Sequence, residues 1–417
     1  MRDHPTDPAA CPDPHAGADA AASTAVEIAV VNDIASVPPA HWDACAAPET
    51  ADGGPPANPF VTHAFLHTME ASGSATPRTG WAPHHLIARL EGAPDSPPLG
   101  VMPLYLKSHS QGEYVFDHSW AHAFERAGGD YYPKLQCAVP FTPATGPRLL
   151  ARPDTGLATE TIQGALLEAA ADIASRNGIS SLHVTFCTED EWHLGARHRY
   201  LQRTDQQFHW ENHRYASFDA FLDALASRKR KTLRKERQRA LEPGIAFRWL
   251  TGSTIDARAW DAFWHFYQDT GARKWGRPYL TRRAFDMLGT AMGDSLLLVM
   301  AERGGRYIAG ALNVIGRETL FGRYWGCVED HPFLHFETCY YQAIDFAIAH
   351  GLKRVEAGAQ GGHKLARGYE PVTTRSLHFL PDSGFRAAVD QYLRRERVAV
   401  ERENAAMAEM TPFKKDG

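Results

Sequence analysis

The sequence predicts a mixed α/β protein in which one domain pattern occurs twice. Three observations support this prediction. The chain has 417 residues, whereas single hydrophobic cores stop growing at roughly 250–300 residues. The order strand, strand, strand, helix, strand can be read in both halves. The helix of each half ends at a glycine, Gly178 or Gly351, and a strand-like run follows it at once.

The second half shows the pattern most clearly. Residues 296–300, 307–315 and 319–326 are rich in apolar and aromatic side chains, and they predict three strands. Residues 336–350 predict a helix packed on a sheet, because their apolar side chains follow the i, i+3, i+4, i+7 spacing. The next strand is predicted at 353–357.

The first half repeats this order. Residues 86–90 and 99–106 predict a hairpin, and residues 113–116 predict a short third strand. A helix is predicted over 161–177, since its apolar residues lie on one face. The strand that follows it is predicted at 181–186.

These patterns divide the chain into four segments. Residues 1–25 have almost no large apolar side chain, so we expect a disordered tail. We expect an N-terminal domain over 26–210, with an extra insertion at about 110–150, and a C-terminal domain over 211–390. Residues 391–417 predict a C-terminal helix and tail.

The composition limits the class of protein. It is 44% hydrophobic and 22% charged, and the net charge of -5 gives no general indication of nucleic-acid binding, which would need a local basic patch. No apolar run reaches the roughly 20 residues of a membrane helix, so we expect no stable membrane insertion. The six cysteines form no CxxC pair, so we expect a reduced, cytoplasmic protein without a metal site. The oligomeric state is not indicated.

Several longer motifs resemble a known family. They lie at residues 58–66, 103–110, 112–117, 131–135, 140–143, 324–326, 335–337 and 356–364. Over about residues 58–390 the chain resembles a bacterial FemAB-like family of peptidoglycan biosynthesis or recognition proteins, which are predicted N-acyltransferases. The resemblance implies a tandem pair of GNAT-like acyltransferase domains in a Fem-type arrangement. It also implies a relationship to enzymes that add amino acids to peptidoglycan precursors.

Residues 356–369 contain the densest group of polar side chains and glycines. Acyl transfer to an amine needs a proton acceptor, a donor for the developing oxyanion and a site for the carrier. Ligands of open α/β sheets lie beyond the carboxyl ends of strands, where this stretch is predicted. The residues expected to be catalytic are Glu356, His363, His335 and Tyr324. Those expected to bind substrate in the same cleft are Glu337, Gln360, Lys364, Arg367 and Tyr369.

Alternatives remain open for several candidates. The stretch 356–369 can be a solvated loop, and Glu337 can simply stabilise the N-terminus of its helix. The insertion of the first half contains His118, Tyr132 and Lys134, which we expect to form a wall of the substrate site. A packed lid with an aromatic core is the alternative.

Residues 227–240 predict a helix with a large excess of positive charge. It has eight Lys or Arg residues against one acid, Glu236. Like charges repel at i, i+4, which argues against a merely solvated helix. We expect a polyanionic partner, such as the phosphates of a carrier, an aminoacyl-tRNA or a nucleotide-linked cell-wall precursor. The residues expected to bind it are Arg228, Arg230, Lys231, Arg234 and Lys235.

The loop before the second-half helix bears on the acyl donor. Many acetyl-CoA-dependent GNAT enzymes have a glycine-rich loop there that binds pyrophosphate. Here the loop, residues 327–333, contains no glycine and carries Glu329 and Asp330, which would repel a pyrophosphate. The co-substrate is therefore predicted to be an acyl-CoA or an aminoacyl-tRNA, with the tRNA favoured.

Two functions from different classes fit the sequence. The first is an N-acyl- or aminoacyltransferase that acts on a small-molecule or peptide amine, such as a cell-wall precursor. The second is a non-catalytic GNAT-fold protein that binds a peptidoglycan precursor or RNA. The polar stretch 356–369 favours the enzyme, and the basic helix fits both.

Overall fold

The structure is a computed structural model, and it describes residues 25–274, 278–358 and 361–414. The predicted tail over 1–25, apart from Ala25, lies outside the described residues, and so does the expected substrate-binding residue Gln360. No helix in the described part of the chain is long and apolar enough to cross a membrane.

The first half contains nine strands and five α-helices in the described residues. The strands are β1 (Val26–Val31), β2 (Trp81–Pro83), β3 (His85–Leu90), β4 (Gly100–Met102), β5 (Leu104–Lys107), β6 (Lys134–Cys137), β7 (Leu150–Ala151), β8 (Leu182–Thr185) and β9 (Leu201–Glu211). The helices are α1 (Pro39–Ala46), α2 (His63–Ala71), α3 (His118–Arg126), α4 (Thr159–Arg176) and α5 (Glu189–Arg197). The predicted helix over 161–177 and the strand after it are confirmed.

Two predictions for the first half are wrong in detail. Residues 113–116 form no strand, because Gly112 and Tyr114 have positive φ angles of 80° and 62°, which extended pairing does not allow. The predicted strand over 99–106 is split at Pro103, since proline has no N–H for a sheet ladder.

The second half contains six strands and seven α-helices in the described residues. The strands are β10 (Ala246–Thr251), β11 (Leu296–Arg303), β12 (Arg306–Ile315), β13 (Thr319–Cys327), β14 (Arg354–Glu356) and β15 (Glu370–Phe379). The helices are α6 (Phe218–Ala224), α7 (Ser227–Leu241), α8 (Ala257–Lys274), α9 (Arg282–Met292), α10 (Leu334–Phe336), α11 (Gln342–Ala349) and α12 (Ser383–Glu409). A π-helical turn, Glu337–Tyr341, joins α10 to α11. The predicted strands and the basic helix α7 are confirmed.

The two halves exchange strands in a single sheet. The eleven-stranded sheet has the order β10-β11-β12-β13-β14-β9-β15-β8-β6-β5-β2, and β1, β3, β4 and β7 form a second sheet. Strand β9, from the first half, pairs with β14, whereas β15, from the second half, pairs with β8. The expected domains over 26–210 and 211–390 therefore share one large sheet. The division near residue 210 remains our proposal for the domain boundary.

The sequence of parallel and antiparallel strand pairs is the same on both sides of the central β9–β15 pair. On one side β14 runs parallel to β13, and on the other side β8 runs parallel to β6. Antiparallel strands follow outward in both directions, β12 beyond β13 and β5 beyond β6. The helices α11 and α4 precede the equivalent strands β14 and β8 in the chain.

Buried ion pairs fix the basic helix α7 to the second half. Arg237 donates to both carboxylate oxygens of Glu337, at 3.0 and 2.7 Å, and to Asp345 at 2.6 Å. Glu337 is fully buried, and Leu233 and Ala240 of the same helix are buried as well. One face of α7 is thus held against the sheet's helices, which leaves the other basic side chains toward solvent.

Strand exchange predicts that the halves cannot separate. A protease site inserted between the exposed residues His213 and Arg214, in the loop after β9, should allow cleavage of the native protein. The two fragments should then co-elute in gel filtration and unfold in one transition, because each half supplies a central strand to the other. Fragments that separate without denaturant would contradict the exchanged topology.

The ion pair between Arg237 and Glu337 predicts that two substitutions lower the free energy of unfolding by different amounts. Glu337→Ala should destabilise the protein by about 3–5 kcal/mol, because it leaves a partly buried Arg237 without its main partner. The control Arg234→Ala removes a half-exposed pair with Asp219 and should cost less than about 1 kcal/mol. Urea unfolding followed by tryptophan fluorescence measures both, and equal costs would refute this role for Glu337.

Candidate active site and anion pocket

Strands β13 and β14 separate at one end. They pair only through Thr319–Phe321 and Arg354–Glu356, whereas β13 continues to Cys327. The register shifts in β13, where Tyr324 faces Leu312 and Gly322 faces Asn313, so that Arg323 is an extra residue. Such β-bulges are common beside active sites because they redirect side chains. The bulge and the end of β14 therefore define a splay between two parallel strands.

Glu356 is the last residue of β14 and lies at this splay. Its register neighbours are Phe321 and His209, and the His209 Nε2 atom is 3.9 Å from the carboxylate. Burial raises the pKa of Glu356 to about 8, although the positive charge of Arg354 acts against this shift. The carboxyl group is therefore mostly protonated at neutral pH.

His209, a titratable side chain beside Glu356, comes from the exchanged strand β9. Burial lowers its pKa to about 3, and the charges of Arg354 and Lys364 act in the same direction. Its Nε2 atom is 3.3 Å from the Gln207 Oε1 atom, and its Nδ1 atom has no hydrogen-bond partner among the described residues. The imidazole is thus neutral and has a free ring nitrogen.

A first-half loop, residues 140–145, covers the splay. The carbonyl oxygen of Phe141 accepts hydrogen bonds from the Arg323 guanidinium and, at 3.4 Å, from the Tyr324 hydroxyl. The backbone of Thr145 hydrogen-bonds to Glu356. Burial raises the pKa of Tyr324, which keeps its hydroxyl protonated as a donor. The surroundings of Tyr324 and Glu356 are therefore built by both halves, and not by the second half alone.

His363 and His335 lie on the helix side of the sheet. The Tyr340 hydroxyl and the His363 Nε2 atom are 2.9 Å apart, and the His335 ring is 5.4 Å from the Tyr340 ring. Tyr340 packs in the core under α11 with Val355, whereas side chains alternate along β14 and place Glu356 on the opposite face. The structure thus separates these histidines from Glu356 by the thickness of the sheet.

The expected substrate-binding residues near His363 are mostly occupied by protein partners. Lys364 is buried, donates to the Gly358 carbonyl at 3.0 Å, and has its pKa lowered by burial to about 8. Arg367 pairs with Glu236 at 3.0 Å and lies over the Phe336 ring. Tyr369 is fully buried, and no partner for its hydroxyl is found in the part of the chain that the structure describes.

Glu337 is occupied in the same way. Besides Arg237, its carboxylate accepts a hydrogen bond of 2.7 Å from the Gln342 side chain. Both of its oxygens are used within the protein, so its position explains how α7 is anchored. The residue is also fully buried, so a substrate has no access to it in this structure.

The residues of the first-half insertion belong to a separate buried network. The Lys134 ammonium donates to Ser110 at 2.8 Å, to Glu113 at 2.7 Å and to Asp117. Burial alone would lower the pKa of Lys134, but the charges of Glu113 and Asp117 outweigh it and raise the pKa. The ammonium is therefore saturated and does not form a wall of the second-half site.

The other two insertion residues lie at the edge of this network. Tyr132 is partly buried and shares a 2.8 Å hydrogen bond with Ser110. His118 is exposed at the start of α3. Neither residue is brought to the splay of β13 and β14.

The sequence reasoning missed the histidines on the central strands. His209 faces Glu356 across β9 and β14, and in the same way His378 faces His183 across β15 and β8. The Nδ1 atoms of His183 and His378 are 2.6 Å apart. Apolar residues flank each of these histidines on both sides, and this alternation was the signal in the sequence that could have identified them. Their partners follow only from the exchanged topology.

The basic helix forms one side of a pocket of about 370 Å³. The other side is the 3-10 helix Gly362–Arg367 that follows β14. The lining residues are Arg228, Lys229, Thr232, Leu233, Glu236, Ala366 and Arg367. A larger hollow of about 690 Å³ lies beside Gly252 and Trp260, and none of the expected site residues borders it.

The five basic residues expected to bind a carrier differ in their surroundings. Arg230 pairs with Asp223 at 2.9 Å and Arg234 pairs with Asp219 at 3.1 Å, so part of their charge is balanced. Arg228, Lys231 and Lys235 are exposed, and no carboxylate of the described residues lies within 4.0 Å of them.

The acidic loop before α10 is less repulsive than its sequence predicts. Glu329 is 2.7 Å from Arg303 and 2.8 Å from His331, so its charge is largely balanced. Asp330 is exposed. Phe333, which precedes α10, has a positive φ of 65° and lies under the guanidinium of Arg239. Within the described ranges, no group of three or more His, Cys, Asp or Glu side chains could hold a metal ion.

The chain is similar to several solved structures at low sequence identity. FemX is 12% identical, with 76% of this chain and 92% of that chain covered and a TM-score of 0.46. A tandem GNAT protein from the clavulanic acid biosynthesis pathway is 13% identical, with 86% and 99% covered and a TM-score of 0.46. A conserved protein of unknown function from Bacteroides thetaiotaomicron is 11% identical, with 84% and 99% covered and a TM-score of 0.49. These values carry no inference about chemistry.

No curated protein matches the chain. A protein-family model described as FemAB-like, peptidoglycan biosynthesis/recognition, matches residues 33–415. The repeated strand order around the β9–β15 pair and the splayed parallel strands agree with the predicted mixed α/β class and tandem GNAT-like arrangement, which are confirmed. The chain therefore belongs to the FemAB-like family of peptidoglycan biosynthesis/recognition proteins.

Proposed function

We propose that this protein is an acyl- or aminoacyltransferase whose reaction takes place at the splay of β13 and β14, with Glu356 as the proton acceptor. One observation supports this above the others. A buried carboxyl group with a pKa of about 8 lies at the end of a parallel strand pair, beside a β-bulge. A carboxylate of raised pKa accepts a proton from an ammonium group at lower cost than an ordinary glutamate does.

The proposed reaction begins with an ammonium group on the acceptor. The carboxylate form of Glu356 takes one proton, and the free amine attacks the acyl carbonyl of the donor. The tetrahedral intermediate then breaks the bond between the acyl carbon and the carrier. The leaving oxygen or sulfur of the carrier takes a proton from Glu356, which restores the carboxylate, and the nitrogen of the new amide releases its remaining extra proton to solvent.

Arg323 and Tyr324 are the donors proposed for the oxyanion of this intermediate. Arg323 and Tyr324 both donate to one carbonyl oxygen, that of Phe141. An acyl carbonyl of a substrate in this position would receive the same two hydrogen bonds, which strengthen as negative charge develops. Glu356 lines neither of the two pockets described above. On this proposal the Phe141 carbonyl must therefore move aside before a substrate can reach Glu356.

Membership of the FemAB-like family supports a peptidoglycan precursor as the acceptor. The acceptor amine would belong to a small molecule or to a peptide. The carrier is an acyl-CoA or an aminoacyl-tRNA, and the row of exposed bases on α7 supports the larger polyanion. The balanced charge of Glu329 weakens the argument against acyl-CoA that the sequence alone provides.

The second candidate function is a non-catalytic protein that binds a peptidoglycan precursor or RNA. A specific observation favours it: the first-half loop covers Glu356 and Tyr324, and His363 lies on the other face of the sheet. In this case the splay is a structural junction between the halves.

Substitution of Glu356 separates the two functions. Transfer of labelled acyl groups from mixed aminoacyl-tRNAs or acyl-CoAs to peptidoglycan precursors should fall about 100-fold or more in Glu356→Gln, the usual effect of losing a general base. The wild-type rate should rise with pH through about 8, because only the deprotonated carboxyl accepts a proton.

The matched control for this assay is Glu318→Gln. Glu318 precedes β13 and pairs with Lys353 at the exposed end of the same two strands. Its substitution should leave the rate and the pH profile unchanged. Equal rates in wild type and Glu356→Gln would contradict the proposed base. Precursor binding without transfer from either donor would favour the binding protein.

A further inference from the structure

Gln207, His209 and Glu356 form a short row of buried side chains at the splay. Gln207 and His209 are two residues apart on β9, so their side chains project to the same face of the sheet. Glu356 on β14 lies directly opposite His209 in the antiparallel register, and residues opposite each other share a face. The three residues are only 1%, 3% and 6% exposed, respectively. The row is therefore shielded from water, which strengthens the hydrogen bonds within it.

The amide orientation of Gln207 is fixed by its contact with the first-half loop. Its Nε2 atom donates to the carbonyl oxygen of Pro143 at 2.7 Å. A carbonyl oxygen can only accept, so the amide nitrogen must face Pro143 and the Oε1 atom must face the other way. That oxygen is 3.3 Å from the Nε2 atom of His209. Gln207 therefore presents an acceptor, and not a donor, to the imidazole.

This acceptor selects one tautomer of His209. A neutral imidazole carries its hydrogen on either Nε2 or Nδ1. With the hydrogen on Nε2, the ring donates to Gln207. With the hydrogen on Nδ1, two acceptors would face each other, and the buried Nδ1–H group would have no partner among the described residues. His209 therefore holds its hydrogen on Nε2.

The same Nε2–H group lies beside Glu356. The Nε2 atom is 3.9 Å from the Oε2 atom of the Glu356 carboxyl group, which is too far for a hydrogen bond. A carboxylate would attract this group more strongly than the Gln207 amide does, since hydrogen bonds to an ionised acceptor are roughly twice as strong as neutral ones. A movement of about 1 Å would bring the two atoms to hydrogen-bond distance.

We propose that His209 is a positioning residue for Glu356. When Glu356 ionises, the Nε2–H group turns from Gln207 to the carboxylate and donates to it, which holds the carboxylate in place for proton transfer. Gln207 keeps the ring in the one tautomer that can do this. The inference rests on the proposed function, since it takes Glu356 to be the proton acceptor. His209 itself stays neutral and takes no proton from the substrate.

Other charged residues also act on Glu356, but from a greater distance. They are Arg354 on β14, Arg323 on β13, Glu211 on β9 and Arg148 after the first-half loop. Within the described ranges, no guanidinium nitrogen lies within 4.0 Å of the Glu356 carboxylate. Arg354 and Lys364 act on His209 as well, and both keep it neutral. These charges stay in place when His209 is replaced, so a change in the protonation of Glu356 then reports the Nε2–H contact.

Substitutions of His209 test the contact through the protonation of Glu356. In His209→Phe the carboxylate loses a donor, so the midpoint of Glu356 in carbon-13 NMR should rise by about one pH unit. His209→Gln is the conservative control, because its amide nitrogen takes the place of Nε2 and cannot titrate. Its midpoint should stay within about 0.3 units of wild type. An unchanged midpoint in His209→Phe would overturn the proposal, and so would an equal rise in both variants.

The tautomer of His209 gives a readout that does not need His209→Phe to fold. Nitrogen-15 NMR of histidine-labelled protein distinguishes a protonated from an unprotonated ring nitrogen, and the signal that is missing in His209→Gln assigns the residue. Wild type should carry its hydrogen on Nε2 at neutral pH. Gln207→Leu removes the acceptor and should give a mixture of both tautomers. Hydrogen on Nδ1 in wild type, or an imidazolium at neutral pH, would overturn the proposal.

The variant Gln206→Leu is the matched control for Gln207→Leu. Gln206 is the neighbouring residue of β9, projects to the opposite face and donates to Asn404. Its substitution should change neither the tautomer of His209 nor the midpoint of Glu356. Equal effects of the two substitutions would indicate a general disturbance of β9 and would overturn the role of Gln207.

The transfer assay connects the contact to catalysis. A midpoint raised by one unit leaves about tenfold less carboxylate at neutral pH, so the rate of His209→Phe should fall about tenfold there and recover at higher pH. A loss that is the same at every pH would indicate a structural role and overturn the proposal. An unchanged rate in Glu356→Gln would refute the base, whereas the NMR midpoints still decide the His209 contact, so the two failures are distinguishable.

Discussion

The reciprocal exchange of β9 and β15 is the constraint on which the rest of the structure depends. Each half ends in a strand that completes the sheet of the other half, and the two exchanged strands pair with each other at the centre. Neither half can therefore satisfy its backbone hydrogen bonds alone. The exchange also brings the first-half residue His209 next to the second-half residue Glu356.

The same topology produces two related buried groups with different electrostatics. Around His183 and His378, the acid Asp117 is close to Lys134; burial acts to raise its pKa, but the charges of Lys134 and His183 outweigh burial and lower it. Among the described residues no Lys or Arg nitrogen lies within 4.0 Å of the Glu356 carboxylate, so burial dominates and its pKa rises. A paired buried acid is a structural ion pair, whereas an unpaired one of raised pKa is available for proton transfer.

Much of the fold could be predicted from the sequence, because the elements of the second half have regular periodicity. The prediction of a strand at 113–116 is wrong, because Glu113 turns inward to pair with Lys134. Alternation of polar and apolar residues in a sequence does not reveal such an ion pair. The exchange of β9 could not be predicted from the sequence. The alternation of polar and apolar residues shows which face of the sheet each side chain occupies, but it does not show which strand pairs with which. For the same reason the sequence analysis assigned Glu356 and His363 to one cleft, although the two side chains lie on opposite faces of the sheet.

The central claim is that Glu356 is a buried carboxyl group without a cationic partner, held between the two halves. Carbon-13 NMR of carboxyl-labelled glutamate, with Glu356→Gln to assign the signal, measures its protonation directly between pH 4 and pH 10. The account predicts a midpoint at about 8 for this one carboxyl group. A midpoint near the ordinary glutamate value of about 4.3 would contradict it, since the group would then be solvated or paired.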